Sequence, residues 1–110
     1  MLESKVETYF QDQVRMCGGL TLKFTSPTMR GVPDQIVLYN GNGYFVEMKA
    51  PGEKPRESQV AVHELFKDHG ITVYTIDTIE MVDQFIETTL NAEIQPRKTE
   101  SFEINDNMFF

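Results

Sequence analysis

Asp34, Glu47 and Lys49 are the residues of this chain whose types and spacing suit chemistry on a phosphodiester. Asp34 closes the run Gly31-Val32-Pro33-Asp34, and Glu47-Met48-Lys49 follows thirteen residues later. Two carboxylates held close repel, and one is driven to bind a proton unless a cation stands between them. Ligands that are all oxygen favour a hard ion, so Mg²⁺ or Mn²⁺ suits the pair better than zinc. Lys49 offers a compact ammonium that could hold a phosphate and orient an attacking water or stabilise developing charge. A bound metal would make that water more acidic, and the sum is phosphodiester hydrolysis. The plainer alternative is an ordinary ion pair between Glu47 and Lys49, with Asp34 merely ending the Pro33 turn.

Strand parity supplies a geometric test. The β-rich runs 34–39 and 44–49 are separated by Asn40-Gly41-Asn42-Gly43, a strong hairpin signal, and should pair antiparallel. In such a pair, opposed residue numbers add to a constant. A two-residue turn at Asn40-Gly41 sets the sum to 81 and puts Asp34 opposite Glu47. A turn at Gly41-Asn42, or one using all four residues, sets it to 83 and puts Asp34 opposite Lys49. Any odd sum brings all three charges to one face of the sheet, together with Ile36, Leu38 and Phe45.

Other elements must carry this hairpin. Leu2, Val6, Tyr9, Phe10 and Val14 recur at helical spacing and predict a first helix ended by Gly18-Gly19. Leu20, Leu22 and Phe24 alternate with polar residues, the mark of a half-buried strand. After the hairpin, the Pro- and Gly-containing stretch 50–56 reads as a loop, and a helix opens at Glu57 or Ser58 and stops at Gly70. Residues 71–76 read as a strand. Asp77 or Thr78 caps a last helix whose apolar side carries Ile79, Val82, Phe85, Ile86 and Leu90. The expected order is α-β-β-β-α-β-α, an α/β (α+β) domain over residues 1–92. Residues 93–110 show no sustained period and form an acidic, aromatic tail, read as a solubilising appendage or as a docking peptide. His63 and His69 lie six apart on one helix, roughly 240° around its axis, so they cannot share a metal.

Composition narrows the classes. One hundred and ten residues hold one core, and a lone cysteine, Cys17, can form neither an intrachain disulfide nor a zinc cluster. No apolar run suits a membrane span and no signal peptide is evident, so a cytoplasmic protein with no membrane partner is expected, phage-encoded proteins acting in a host cytoplasm included. A net charge of -7 argues against a nucleic-acid partner until its distribution is considered. Residues 15–56 hold six Lys and Arg against three acids, two of which are Asp34 and Glu47. With those two neutralised by metal, the middle third would attract phosphate, and Arg30, Lys54 and Arg56 flank the proposed site as candidate contacts to DNA.

Arg30-Gly31-Val32-Pro33-Asp34 followed by Val46-Glu47-Met48-Lys49 resembles the PD-(D/E)XK nuclease signature, in a wording closest to the virus-type replication-repair nuclease (VRR-NUC) family. The ordered set extends to a first-helix acid (Glu3 or Glu7), Gly18-Gly19 with Lys23, and Gln59, covering about residues 1–90. The resemblance implies a restriction-endonuclease-like core, a mixed β-sheet flanked by helices. It implies Asp34 and Glu47 as metal ligands, with the Met48 backbone carbonyl as a third, and Lys49 as catalytic base. Gln59 would position water or phosphate, Glu3 is preferred over Glu7 as the helix-1 acid, and Lys23 joins the DNA-contacting set. The implied activity is a Mg²⁺- or Mn²⁺-dependent structure-selective DNA endonuclease, similar to Holliday-junction resolvases. Such an enzyme works as a homodimer, because two-fold symmetry matches a four-way junction. The alternatives are a catalytically inert DNA-binding module on the same fold and a monomeric nuclease of flaps or forks.

Overall fold

Helix α1 (Glu3–Met16) forms where the helical pattern of Val6, Phe10 and Val14 predicts it, and all three side chains are fully buried. Burying a side chain of this kind contributes roughly 1.5–3 kcal/mol, so the pattern both specifies the helix and docks it. The structure is a computed structural model that describes residues 3–96, with side chains from Lys5 onward. The tail expected from residue 93 therefore falls largely outside the described residues. Its first part is tied into the fold. Ile94 packs on the core, and the Gln95 backbone makes two hydrogen bonds with the Gln13 side chain, at 2.7 and 2.9 Å.

Four strands form one mixed sheet in the order β1 (Leu20–Lys23), β2 (Gln35–Tyr39), β3 (Asn42–Met48) and β4 (Val73–Ile76). β2 runs antiparallel to both of its neighbours, β1 and β3, and β3 and β4 are parallel. Helix α2 (Glu57–Asp68) makes the crossover between the parallel strands, as a parallel pair requires. Helix α3 (Ile79–Gln84) is capped by Thr78, whose hydroxyl accepts from the Met81 amide at 3.1 Å. It continues as a π-helical turn, Phe85–Thr89, in which the Leu90 amide reaches the Phe85 carbonyl. The sequence order is the expected one.

The hairpin register pairs Gln35 with Val46, Ile36 with Phe45 and Tyr39 with Asn42. Each pair sums to 81, so Asn40-Gly41 is the turn. Both residues have positive φ, 51° and 83°, as a two-residue type I′ turn demands. This register sends the two faces of the sheet to different partners. Val37, Val46, Met48 and Ile76 pack with α1, α3 and the π turn, where Phe10 and Phe85 meet at 5.7 Å between ring centroids. The opposite face is covered by α2 over β3, where the Phe66 ring stands edge-on to Phe45 at 5.1 Å. The half-burial expected of β1 is not met within one chain: Leu20, Leu22 and Leu38 of this face are exposed, Leu22 at 43%. The physical reason is that α2 is placed over β3 and β4 and leaves β1 and β2 bare on this side.

Candidate active site

The 81 register places Asp34, just before β2, across from Glu47 on β3. Where the backbone ladder between the strands ends, the Asp34 side chain replaces it, its Oδ1 accepting from the Met48 amide at 3.2 Å. The Asp34 carbonyl accepts from the Phe24 amide at 2.9 Å, so both neighbouring strands hold this residue. Lys49 follows β3 and donates its amide to the Ile76 carbonyl at 2.9 Å, which fixes it to β4.

The side chains converge in a buried setting. Glu47 is 3% exposed and Lys49 5%, and the Lys49 ammonium stands 3.4 Å from Glu47 Oε2. A buried ion pair of this kind is poor evidence for a stabilising role, because desolvation offsets the attraction. Burial and then the Asp34 charge push the Glu47 carboxyl above its ordinary range, and Lys49 only partly opposes them. Glu47 Oε1 is buried with no hydrogen-bond partner.

Gln59 reaches the same carboxylate from α2. Its Nε2 donates to Glu47 Oε2 at 3.0 Å while its Oε1 accepts from the Arg56 amide at 2.8 Å. The Arg56 N–H can only donate, so it fixes which end of the amide faces Glu47. One side chain thus caps the helix and orients the carboxylate. The loop before Asp34 is held tightly against the same helix end. Gly31 has φ 84°, and a Cβ there would lie 2.7 Å from the Ser58 carbonyl oxygen. Only glycine allows the loop to pass α2 so closely.

These residues line an open cleft of about 440 Å³ whose walls are the loop 24–33, the end of β3, and the start of α2. Asp34, Glu47, Met48, Lys49, Arg56 and Gln59 are all in its lining. Arg30 and Lys54 are exposed in the loops beside it and do not line it. Lys23 pairs at 2.6 Å with Glu7, which also accepts from the Gln35 amide. Gln35 belongs to the core face, so this cluster stands behind the sheet from Glu47. The backbone of Glu3 begins α1, and its side chain lies outside the described residues. Two further residues escaped sequence reasoning, only the first of them in the cleft lining. Glu53 lines the cleft and accepts from the Ala50 amide at 3.1 Å, and His63 lies one helical turn beyond Gln59 with its Nε2 buried and unpartnered. Neither has a local sequence signal, because each owes its place to the packing of loop and helix on the sheet.

The donor set can be tested for a metal. Among the described residues no group of three or more His, Cys, Asp or Glu is poised to hold one. The orphaned Glu47 Oε1 beside Asp34 fits a hard ion held by two carboxylates, with backbone oxygen and water completing its shell, as Mg²⁺ prefers.

No family model matches the chain. It is 42% identical over 80 residues, 72% of its length, to "Putative nuclease p44" of Acyrthosiphon pisum secondary endosymbiont phage 1, covering 86% of that protein. Among solved structures it is similar to a chain described as a VRR_NUC domain, with a TM-score of 0.72 and 33% identity. The match covers 78% of this chain and 95% of the other.

Proposed function

Because the chain belongs to the VRR-NUC family of PD-(D/E)XK nucleases, we propose that it is a Mg²⁺- or Mn²⁺-dependent DNA endonuclease acting on branched DNA, of the four-way-junction type, as a homodimer. The observation that carries this reading is the buried convergence of Glu47, Lys49 and Gln59 beside Asp34 in an open cleft. A stability role alone gives no reason to bury a glutamate beside a second carboxylate with one of its oxygens lacking a partner.

Asp34 and Glu47 would hold the ion, with the Met48 carbonyl as a further ligand. When bound, the ion supplies charge neutralisation at the scissile phosphate and a more acidic water. The chain's own residues do the rest. The Lys49 ammonium holds the attacking water in line and stabilises the charge that develops on the phosphate, in a setting that excludes bulk solvent. Gln59 fixes the rotamer of Glu47 from behind, so the carboxylate needs no reorganisation during the reaction. Arg56 on the cleft wall, with Arg30 and Lys54 in the adjoining loops, meets flanking phosphates. The exposed Leu20, Leu22 and Leu38, on the site's own face of the sheet, support a second copy docking there and setting two clefts in a fixed relation.

The test is incubation of the full chain with a labelled four-way junction, a fork, a flap and linear duplex, in Mg²⁺, Mn²⁺ or chelator. Metal-dependent cutting of the junction is expected. Asp34→Asn and Lys49→Met should each lower the rate on the order of 10³-fold while leaving DNA binding in place. Binding without cutting under every metal condition favours the inert module. Flap or fork cutting by a monomer replaces the junction reading.

A further inference from the structure

His63 stands one turn beyond Gln59 on α2, the spacing that puts both side chains on one helix face. Its Nε2 is buried and makes no hydrogen bond, unusual for a ring nitrogen beside a polar site. It is near enough to the Lys49 ammonium that this charge, after burial, opposes protonation of the ring. Burial and this charge favour the neutral imidazole, and a neutral ring protonated at Nδ1 leaves Nε2 able to accept a hydrogen bond.

Lys49 has a weak hold on its present partner. Its 3.4 Å separation from Glu47 Oε2 is long for a charge-assisted hydrogen bond, and that same oxygen already accepts from Gln59. A cation drawn to Glu47 would weaken the carboxylate's attraction for the ammonium further. We propose that His63 is a positioning residue of this site: its Nε2 is the second acceptor for the Lys49 ammonium, engaged when a divalent cation occupies Asp34 and Glu47. His63 would then give the Lys49 ammonium a fixed second partner as its hold on Glu47 weakens. This inference rests on the metal-site reading above.

The direct readout is the ¹⁵N shift of His63 Nε2 in the full chain titrated with Mg²⁺. The resonance is expected to move from the value of a bare lone pair toward that of a hydrogen-bond acceptor, and to stay still in Lys49→Met. Kinetics supply the second arm. His63→Leu should lower kcat about tenfold with KM for DNA and Mg²⁺ affinity unchanged, and His63→Gln, which restores an acceptor near the same place, should recover most of it. An Nε2 resonance that does not move while Mg²⁺ binds and DNA is cut overturns this inference and leaves the nuclease reading intact. Full kcat in His63→Leu does the same. A chain that neither binds Mg²⁺ nor cuts DNA overturns both readings.

Discussion

Glu47 shows why single residues decide this protein. Its carboxylate is buried, faces Asp34, and is only partly compensated by Lys49 and Gln59, so it holds a proton more readily than an exposed glutamate does. The folded state therefore binds that proton more tightly than the unfolded chain. In metal-free protein this group's contribution favours folding below the ordinary value of 4.5 and is lost as pH rises from there through the raised folded value. Glu47→Gln, neutral at every pH, should raise Tm in chelator at neutral pH and flatten that part of the stability profile, while nuclease activity falls on the order of 10³-fold. Thermal melts from pH 4 to 8 with and without chelator check it, and a lower Tm at pH 7.5 would contradict it. Parity put Asp34, Glu47 and Lys49 on one face in the sequence, because a strand's face depends only on odd or even position, while their expected roles came from the resemblance. Gln59 was legible only through resemblance, and His63 and Glu53 were not legible at all. Their roles arise where a helix or loop crosses a sheet, and no local spacing encodes such a crossing.

At the scale of elements, the site depends on how closely the loop 24–33 approaches the start of α2. Gly31 makes that approach possible, and Pro33 then delivers Asp34 opposite Glu47. Gly31→Ala meets two penalties, a positive φ and a Cβ driven into backbone at Ser58, which cannot rotate away. The strain alone is roughly 1–3 kcal/mol. At about 4–8 °C per kcal/mol for a domain of this size, Tm should fall by several degrees. Activity should fall further than stability predicts, because the displaced atoms carry Asp34 and the Gln59 cap together. Calorimetry and cleavage on the same sample separate the two effects. The elements themselves were well foreshadowed: α1 by its apolar stripe, the hairpin by Asn40-Gly41-Asn42-Gly43 with its register left open, and α3 by a cap at Asp77 or Thr78. The π turn was not, since an i→i+5 bond at Leu90 leaves the apolar spacing of Phe85, Ile86 and Leu90 almost unchanged. The strand β1 was read correctly as alternating, yet its apolar face is open, because alternation identifies an apolar side without identifying what covers it.

The whole molecule sets two opposing conditions for binding DNA. A net charge of -7 repels DNA at long range, while Arg56 in the cleft lining, with Arg30 and Lys54 in the loops beside it, offers positive charge at short range. Few phosphate contacts can then be made, and a second copy would double them. The open face of Leu20, Leu22 and Leu38 includes the edge strand β1, so a partner could cover these apolar side chains there. A stable interface removes about 800 Å² from each partner, more than three leucines provide, which requires the contact to extend along the sheet toward Phe24 near the cleft mouth. Leu22→Asp should therefore dissociate the proposed dimer in sedimentation without costing the monomer more than about 0.5 kcal/mol of stability, since Leu22 is exposed in the single chain. Its effect on catalysis should depend on the substrate. Paired, symmetric cutting of a four-way junction should be lost, while the chemistry at each Asp34–Glu47–Lys49 site persists as residual nicking. Equal loss on every substrate would instead place Leu22 in the support of the cleft, and an unchanged dimer would move the interface to another surface.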